Sequence, residues 1–178
     1  MSETRDWKAV PVYHQSGSYA RLNGDLDAYR ASAQANQACK DAIEQIIREN
    51  FDGMCLPRGL AERIIDQFGP ERVAWMLANT IRQKMHDGRF GLDNKNWALN
   101  VPVQPNMVMD HDQNVYLTIE THPAILDGFV RHARAAMEAR TEPSLHEQLQ
   151  KATATPVVPS IPVEKPKHPS AKRSMPEH

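Results

Sequence analysis

Apolar residues recur at helical spacing along most of the first 140 residues. A long helix is predicted in "NGDLDAYRASAQANQACKDAIEQIIRENF", where Asp25 suits the N-cap and small or apolar residues recur every three or four positions. Two helices follow, "LPRGLAERIIDQFG" with Pro57 at its first position and "PERVAWMLANTIRQKMH", joined in a tight corner at Gly69. A short helix, "NKNWALN", and a last one, "AILDGFVRHARAAMEAR", complete a set of about five.

The hydrophobic period changes once, between residues 101 and 123. Met107 and Met109, then Val115, Leu117 and Ile119, alternate with other residues on either side of the polar stretch 110–114. Such alternation around a polar turn is typical of a β-hairpin, which we place near residues 106–120. The predicted fold class is therefore α+β, mainly α-helical, with about five helices and one small β-hairpin.

The two ends of the chain differ from its middle. Residues 1–17 predict an extended N-terminal arm, because Pro11 interrupts the β-prone "WKAVPVY". Residues 141–178 contain no Trp, Tyr or Phe and hold seven of the thirteen prolines. A segment of that composition cannot offset its ordering entropy, so we predict a disordered, Pro-rich C-terminal tail. A single mainly helical domain, residues 18–140, lies between the arm and the tail.

Charge and cysteine content narrow the function classes. The net charge is -1, and residues 1–140 carry 16 Lys/Arg against 18 Asp/Glu, which argues against a bulk nucleic-acid binder and against a DNA mimic. Cys39 and Cys55 form neither a disulfide framework nor a zinc pattern. The sequence has no signal-peptide core and no membrane-length apolar run. We expect a soluble, cytoplasmic protein without a membrane partner or a cofactor.

Catalytic and metal-binding patterns are weak. Asp110, Asp112 and Glu120 could hold Mg²⁺ for nuclease chemistry, but residues 110–114 are equally typical of a polar turn. No lysine stands two residues after Glu120, and His122 and His132 have no third partner. We therefore predict no catalytic residue, no metal site and no enzyme, with a metal-dependent nuclease as the least favoured alternative.

The corner at Gly69 also raises the question of a DNA-binding helix-turn-helix. A reading helix needs polar and basic residues in its first turns. Here those turns offer Glu71, Arg72, Ala74, Trp75 and Met76, and the other basic residues, Arg82 and Lys84, come late. Two simply packed helices are the favoured interpretation.

One face of the third helix is a candidate partner-binding surface. Trp75, Asn79, Arg82 and His86 share that face, and an aromatic beside arginine is favoured at protein interfaces. The competing interpretation, which is the more favoured, puts Trp75 in the core and has Asn79 bonding a nearby loop. With the two cations that follow the helix, the predicted partner-binding set is Trp75, Asn79, Arg82, His86, Arg89 and Lys95.

The run "HDGRFGLDNKNWA" predicts how the third helix stops and the fourth begins. Gly88 is expected to stop the third helix in a left-handed conformation, Asp93 to cap the fourth, and Trp97 to anchor it in the core. Arg89 and Lys95 are expected to be exposed and neutral for stability.

Three motifs in residues 13–98 resemble a known family. They are "YAR..G.LDAYR.S..AN..C..AI", "ERV..MLANTI" and "DGR...DNK.WA". Together they resemble a small bacterial family of unknown function carried on mobile genetic elements. Within or near that family is a type II-A anti-CRISPR, an inhibitor of the RNA-guided nuclease Cas9.

The resemblance implies a non-enzymatic inhibitor that binds a guide-loaded Cas9-type nuclease and blocks DNA engagement or cleavage. Whether the inhibitor also contacts duplex DNA is left open, and no contact residue is carried over from the family. An alternative drawn from the residues is a nucleic-acid-binding accessory protein of a mobile element. It would use Arg82, Lys84, Arg89, Lys95 and the basic tail.

Overall fold

A computed structural model of the chain describes residues 5–103 and 117–153, without the side chains of residues 142–148 and 151–153. The chain divides into a compact unit of Met1–Pro143 and a second unit of Ser144–His178. A short 3₁₀ turn occupies Trp7–Ala9. The described residues form six α-helices: α1 (Gly17–Asn23), α2 (Leu26–Asn50), α3 (Leu60–Phe68), α4 (Pro70–Gln83), α5 (Leu92–Asn100) and α6 (Pro123–Thr153).

The predicted α+β fold class is wrong. Residues 5–103 and 117–153 contain no β-strand, and the fold they describe is helical. Most of the hairpin predicted at residues 106–120 lies outside the described residues, but its last part, residues 117–120, is described and belongs to no strand.

The segment 117–120 packs on a helix instead of on a strand. Leu117 and Ile119 are buried, as their alternation predicted, with exposed fractions of 6% and 0%. Thr80 Oγ1 accepts a hydrogen bond from the Ile119 N–H at 3.0 Å, and Lys84 Nζ donates to the Ile119 carbonyl at 3.0 Å. Side chains of α4 thus satisfy the backbone groups that a neighbouring strand would otherwise satisfy.

Helix positions follow the sequence prediction more closely. The corner between α3 and α4 falls at Gly69, whose φ of 84° is a conformation that favours glycine, and Pro70 opens α4. Helix α3, which corresponds to the second predicted helix, begins at Leu60 after Gly59 rather than at Pro57. Helix α1 was not predicted; Ser16 Oγ caps it by accepting a hydrogen bond from the Tyr19 N–H at 3.1 Å.

Helix α4 lies at the centre of the compact unit. It packs against α2, α3 and α5, and nine of its fourteen residues are buried. The core around it is built from apolar side chains of α2, α3 and α6, among them Ile43, Ile65, Phe68, Leu126 and Phe129. A helix enclosed on this scale cannot present a continuous face to a partner.

The N-terminal arm is attached to this core through a buried arginine. Arg72, only 1% exposed, donates to the Val10 carbonyl at 2.7 Å and to the Ser32 carbonyl at 3.1 Å, and it also bonds the Asn36 amide oxygen. The Tyr13 N–H donates to Ser32 Oγ at 3.0 Å. Arg72 therefore joins α4, α2 and the arm.

At its C-terminal end α6 continues to Thr153, into the segment predicted as a tail from residue 141, and residues 154–178 lie outside the described residues. Among the helices described here, none combines the length and the apolar character that crossing a bilayer requires.

Candidate partner-binding surface

The first two residues of the predicted partner-binding set lie inside the protein. Trp75 is 6% exposed and Asn79 is 0% exposed, both on α4. Arg72 and Val73, in the first turn of the same helix, are equally buried. Neither Trp75 nor Asn79 offers side-chain surface to another molecule. With nine of its fourteen residues buried, α4 has too little exposed surface to enter a DNA groove as the reading helix of a helix-turn-helix.

The Arg82 side chain donates hydrogen bonds to backbone carbonyls of the same chain. Its Nε donates to the Ala98 carbonyl at 2.9 Å, and its two terminal nitrogens donate to the carbonyls of Leu99, Val101 and Val103 at 2.8 to 3.0 Å. The last carbonyls of a helix have no partner within the helix. Arg82 satisfies these carbonyls at the end of α5 and also binds the carbonyls of the segment that follows the helix. Four carbonyl dipoles therefore already compensate the positive charge of Arg82.

The remaining three residues of the set lie at the corner between α4 and α5. His86 and Arg89 are exposed and Lys95 is half-buried. Arg89 binds Asp87 through Nε at 2.9 Å and a terminal nitrogen at 2.6 Å, and its backbone N–H reaches the same carboxylate at 2.9 Å. The Arg89 side chain, followed by that N–H, holds the pKa of Asp87 well below its usual range. Arg89 thus fixes the corner, although its side chain remains 53% exposed.

Three expectations for this corner are corrected. Helix α4 ends at Gln83, before the predicted stop at Gly88, and Gly88 does not adopt a positive φ. Asp93 lies in the first turn of α5, while Gly91 occupies the cap position without a side-chain hydrogen bond. Trp97 packs against the core but is only partly buried. The sharp turn that the sequence analysis assigned to Gly88 is stabilised instead by the Asp87 side chain, which accepts a hydrogen bond from the backbone N–H of Arg89.

The metal-site alternative has little described structure to support it. Asp110 and Asp112 lie outside the described residues. The backbone N–H of Glu120 donates to Glu44 at 2.8 Å. Within residues 5–103 and 117–153, no three His, Cys, Asp or Glu side chains come close enough together to hold a metal ion.

Helix α5 reverses the polarity of an ordinary surface helix at three positions, Leu92, Asn94 and Leu99. It buries Asn94, 1% exposed, together with Ala98, and it exposes Leu92 and Leu99 at 72% and 56%. Leu92, Lys95 and Leu99 are spaced at i, i+3 and i+7, so they share one face. Single exposed leucines are ordinary, but two on one helix whose inner face carries an asparagine are not. We call Leu92, Lys95 and Leu99 the outer face of α5.

A carboxylate on α6 explains why the asparagine points inward. Asp127, 4% exposed, accepts hydrogen bonds from the Gly91 N–H at 2.8 Å and from the Asn94 amide at 2.7 Å. Its other oxygen accepts from Arg131 at 2.6 Å. Burial acts to raise the pKa of Asp127, but the bonds from Gly91, Asn94 and Arg131 outweigh it, and the pKa is lowered. Arg134 completes the cluster by donating to the Asn94 amide oxygen at 2.7 Å.

A groove opens at the N-terminal end of α5, beside the outer face. Its volume is about 340 Å³, and it is lined by Gly91, Leu92, Asp93, Asn94, Asp127, Arg131 and Arg134. At this end of α5 the Asp127 carboxylate accepts a hydrogen bond from the Gly91 N–H, and Asp93 lies in the first turn of the helix. Arg131 keeps 68% of its side chain exposed while it pairs with Asp127, and the Arg134 guanidinium lies 5.8 Å from the centre of the Trp97 ring. An exposed leucine beside arginines and an aromatic is a composition typical of protein interfaces.

The sequence analysis singled out the segment that contains α5 but did not name most of the residues of this surface. Lys95 was in the predicted set, whereas Leu92, Leu99, Arg131 and Arg134 were not. A signal was available, because leucines seven positions apart, with asparagine and alanine on the other side, predict an outward apolar face. The pairing of Asn94 with Asp127 spans 33 positions, and no local pattern reveals it.

Comparison with known proteins gives a family without a described function. A family model described as "Protein of unknown function (DUF3849)" matches residues 12–138. The curated proteins and the solved structures contain no match to the chain. The matched range includes all three motifs and the whole of α5. The part of the sequence resemblance that predicted membership in a family of unknown function is confirmed.

Proposed function

We propose that this chain, which belongs to the DUF3849 family, acts by binding another protein, and that this partner is a guide-loaded Cas9-type nuclease whose DNA engagement or cleavage it blocks. The observation that carries the binding role is the reversed polarity of α5. The choice of partner rests on the resemblance of the three sequence motifs to a family that includes or adjoins an anti-CRISPR.

The outer face of α5 is suited to binding because it is apolar and rigidly held. Arg82 fixes the C-terminal end of the helix through four carbonyls, and Asp127 fixes the N-terminal end through Gly91 and Asn94. A surface that is already ordered loses less conformational entropy when a partner binds. Leu92 and Leu99 could therefore form the centre of an interface, with Lys95 and the groove at its edge.

The third motif and this surface coincide in the chain. "DGR...DNK.WA" spans residues 87–98, which form the corner and most of α5. Its Asp87 and Arg89 bond each other, and its Asn94 bonds Asp127. In this proposal the motif residues shape the corner and the two leucines on the resulting helix make the contact.

Local contact is a more suitable mode of inhibition than imitation of DNA. Residues 1–140 carry 16 Lys/Arg and 18 Asp/Glu, a nearly balanced charge. A Cas9-type nuclease holds nucleic acid in a positively charged channel, and a DNA mimic would need a strongly acidic surface to fill it. An inhibitor with balanced charge acts by occupying a protein surface that the nuclease needs for DNA engagement or for the conformational change before cleavage.

Co-elution and cleavage assays test the proposal directly. The full chain is mixed with a purified, guide-loaded type II-A Cas9 and analysed by gel filtration and by cleavage of a target duplex. We expect co-elution and reduced cleavage at molar excess of the chain. Adding the chain before or after the target DNA separates a block of DNA engagement from a block of cleavage. Absence of co-elution together with undiminished cleavage would refute the proposed partner.

Paired variants test whether α5 carries the contact. Leu92→Gln combined with Leu99→Gln removes the apolar surface and keeps good helix formers. Leu22→Gln is the matched control, because Leu22 is 87% exposed on α1. We expect the α5 variant to lose co-elution and the control to retain it. Equal binding by both variants would remove α5 from the interface.

A gel shift with duplex DNA alone tests the nucleic-acid alternative. Arg82 and Lys84, two of the cations on which that alternative depends, already donate to backbone carbonyls. We expect no shift at physiological salt. A shift that weakens steeply with added salt would favour the accessory-protein function instead.

A further inference from the structure

We infer that the segment of the partner that covers the outer face of α5 is acidic: an amphipathic protein segment whose apolar side chains meet Leu92 and Leu99 and whose carboxylates face Lys95 and the groove. This inference rests on the binding role proposed above. It specifies the chemistry of the partner surface, which the sequence resemblance does not provide.

The accessible charges around α5 are mainly positive. Lys95 lies between the two leucines on the outer face, and Arg131 lines the adjoining groove with 68% of its side chain exposed. Arg134 also lines the groove, and its guanidinium donates to the Asn94 amide oxygen at 2.7 Å. These groups offer donors to an incoming carboxylate.

Most of the nearby negative charges are turned inward or occupied. Asp127 is 4% exposed and uses one carboxylate oxygen for Gly91 and Asn94 and the other for Arg131. Both oxygens of Asp87 accept hydrogen bonds from Arg89. Asp93 is the remaining carboxylate of the groove, and it is exposed. The groove and the outer face together carry three cations, Lys95, Arg131 and Arg134, and two carboxylates, Asp93 and Asp127. Their net charge is positive, and an acidic partner complements it.

The apolar groups favour a protein segment over a nucleic acid. Leu92 and Leu99 lie two turns apart, about 10 Å along the helix axis. That spacing matches apolar side chains on one face of an amphipathic helix, which is a common way for a peptide to bind a grooved surface. A phosphate backbone would satisfy Lys95 and Arg131 but would leave the leucines without an apolar partner.

Two matched peptides test the inference without the nuclease. Both are synthetic amphipathic helices with leucines at the same positions; one carries glutamate and the other lysine at the remaining exposed positions. The ¹⁵N-labelled full chain is titrated with each peptide, and amide shifts are followed by NMR. We expect the acidic peptide to shift residues 91–99 at concentrations where the basic peptide has no effect. Shifts from the basic peptide at equal or lower concentration, or shifts from neither peptide, would overturn the inference.

A charge reversal and a duplex titration complete the test. Lys95→Glu should weaken binding of the acidic peptide about tenfold. Arg30→Glu, which reverses an exposed arginine on α2, should leave that affinity unchanged. A short DNA duplex that shifts residues 91–99 more strongly than the acidic peptide would overturn the protein assignment. Neither titration contains nuclease, so the two proposals can fail separately. If the chain does not bind Cas9, the acidic peptide can still bind α5. If the acidic peptide does not bind, the chain can still co-elute with Cas9.

Discussion

Helices α4 and α5 are neighbours in sequence and in space, yet they treat polar and apolar residues in opposite ways. Helix α4 buries Arg72, Asn79 and Thr80, and its Arg82 and Lys84 donate to backbone carbonyls of other segments. Helix α5 exposes two leucines and buries an asparagine. Each helix therefore has positions at which the polarity of a residue does not predict its burial.

The difference follows from the backbone groups of neighbouring segments that the side chains of each helix must hydrogen-bond. Three extended segments pack against α4: the arm near Val10, the chain after α5, and the stretch around Ile119. None of them gains its hydrogen bonds from a β-sheet in the described structure, so their backbone groups would be unpaired without Arg72, Arg82, Thr80 and Lys84. The polar side chains of α4 therefore have a structural use. The leucines of α5 are exposed and serve no such structural role among the residues that the structure describes, which is why we place the candidate interface there.

The largest expected effect is the loss of the Arg72 guanidinium. Arg72→Met keeps much of the side-chain volume but leaves the carbonyls of Val10 and Ser32 and the Asn36 amide oxygen without their donor. The free energy of unfolding should fall by about 3–5 kcal/mol, since several buried acceptors lose their partner at once. Urea unfolding measures the change, and limited proteolysis should cut the arm faster in the variant.

Arg30→Met on α2 is the matched control for that prediction. Arg30 is exposed, so the free energy of unfolding should change by less than about 0.5 kcal/mol. Equal urea midpoints for Arg72→Met and Arg30→Met would show that the arm does not depend on the buried arginine.

Removal of Arg82 should have the next largest effect. Arg82→Met removes four hydrogen bonds to the carbonyls of Ala98, Leu99, Val101 and Val103, which should lower the free energy of unfolding by about 2–3 kcal/mol. Arg82→Lys should be intermediate, because an ammonium group cannot span four carbonyls as the planar guanidinium does. If thermal and urea unfolding show that Arg82→Met leaves stability unchanged, Arg82 would again be a candidate residue of the partner-binding surface.

Features that depend on residues close together in the sequence could be predicted, whereas those that depend on contacts between distant residues could not. Helix positions and the Gly69 corner follow from local patterns, namely 3.6-residue periodicity and a glycine–proline pair. The alternation at Leu117 and Ile119 correctly indicated buried side chains, but alternation does not identify what covers the backbone. Here Thr80 and Lys84 of α4 do so, over separations of 39 and 35 positions. The polar cluster at Asp127 is non-local for the same reason.

An acid-dependent loss of stability should identify Asp127 as the residue that fixes the N-terminal end of α5. Its pKa is lowered in the folded protein, so its stabilising contribution is fully present above the unfolded value of about 3.9 and is lost as the pH falls through the lower folded pKa. Asp127→Asn should cost about 1–2 kcal/mol at pH 7, because the charged acceptor is lost. The difference between wild type and variant, measured by urea unfolding, should shrink towards zero as the pH falls below 3.9. A difference independent of pH would mean that the Asp127 charge does not hold α5.

The smallest expected effect on stability belongs to the residues with the largest proposed effect on binding. Leu92→Gln combined with Leu99→Gln changes side chains that are 72% and 56% exposed, so the free energy of unfolding should change by less than about 0.5 kcal/mol. Leucines that served the fold would be buried and would cost several times as much to remove. Thermal unfolding of this variant beside Arg82→Met therefore tests the contrast between the two helices. A melting temperature for the leucine variant as low as that of Arg82→Met would mean that the outer face of α5 is covered by the chain itself and is not a docking surface. An unchanged melting temperature with lost co-elution would assign the two leucines to the partner.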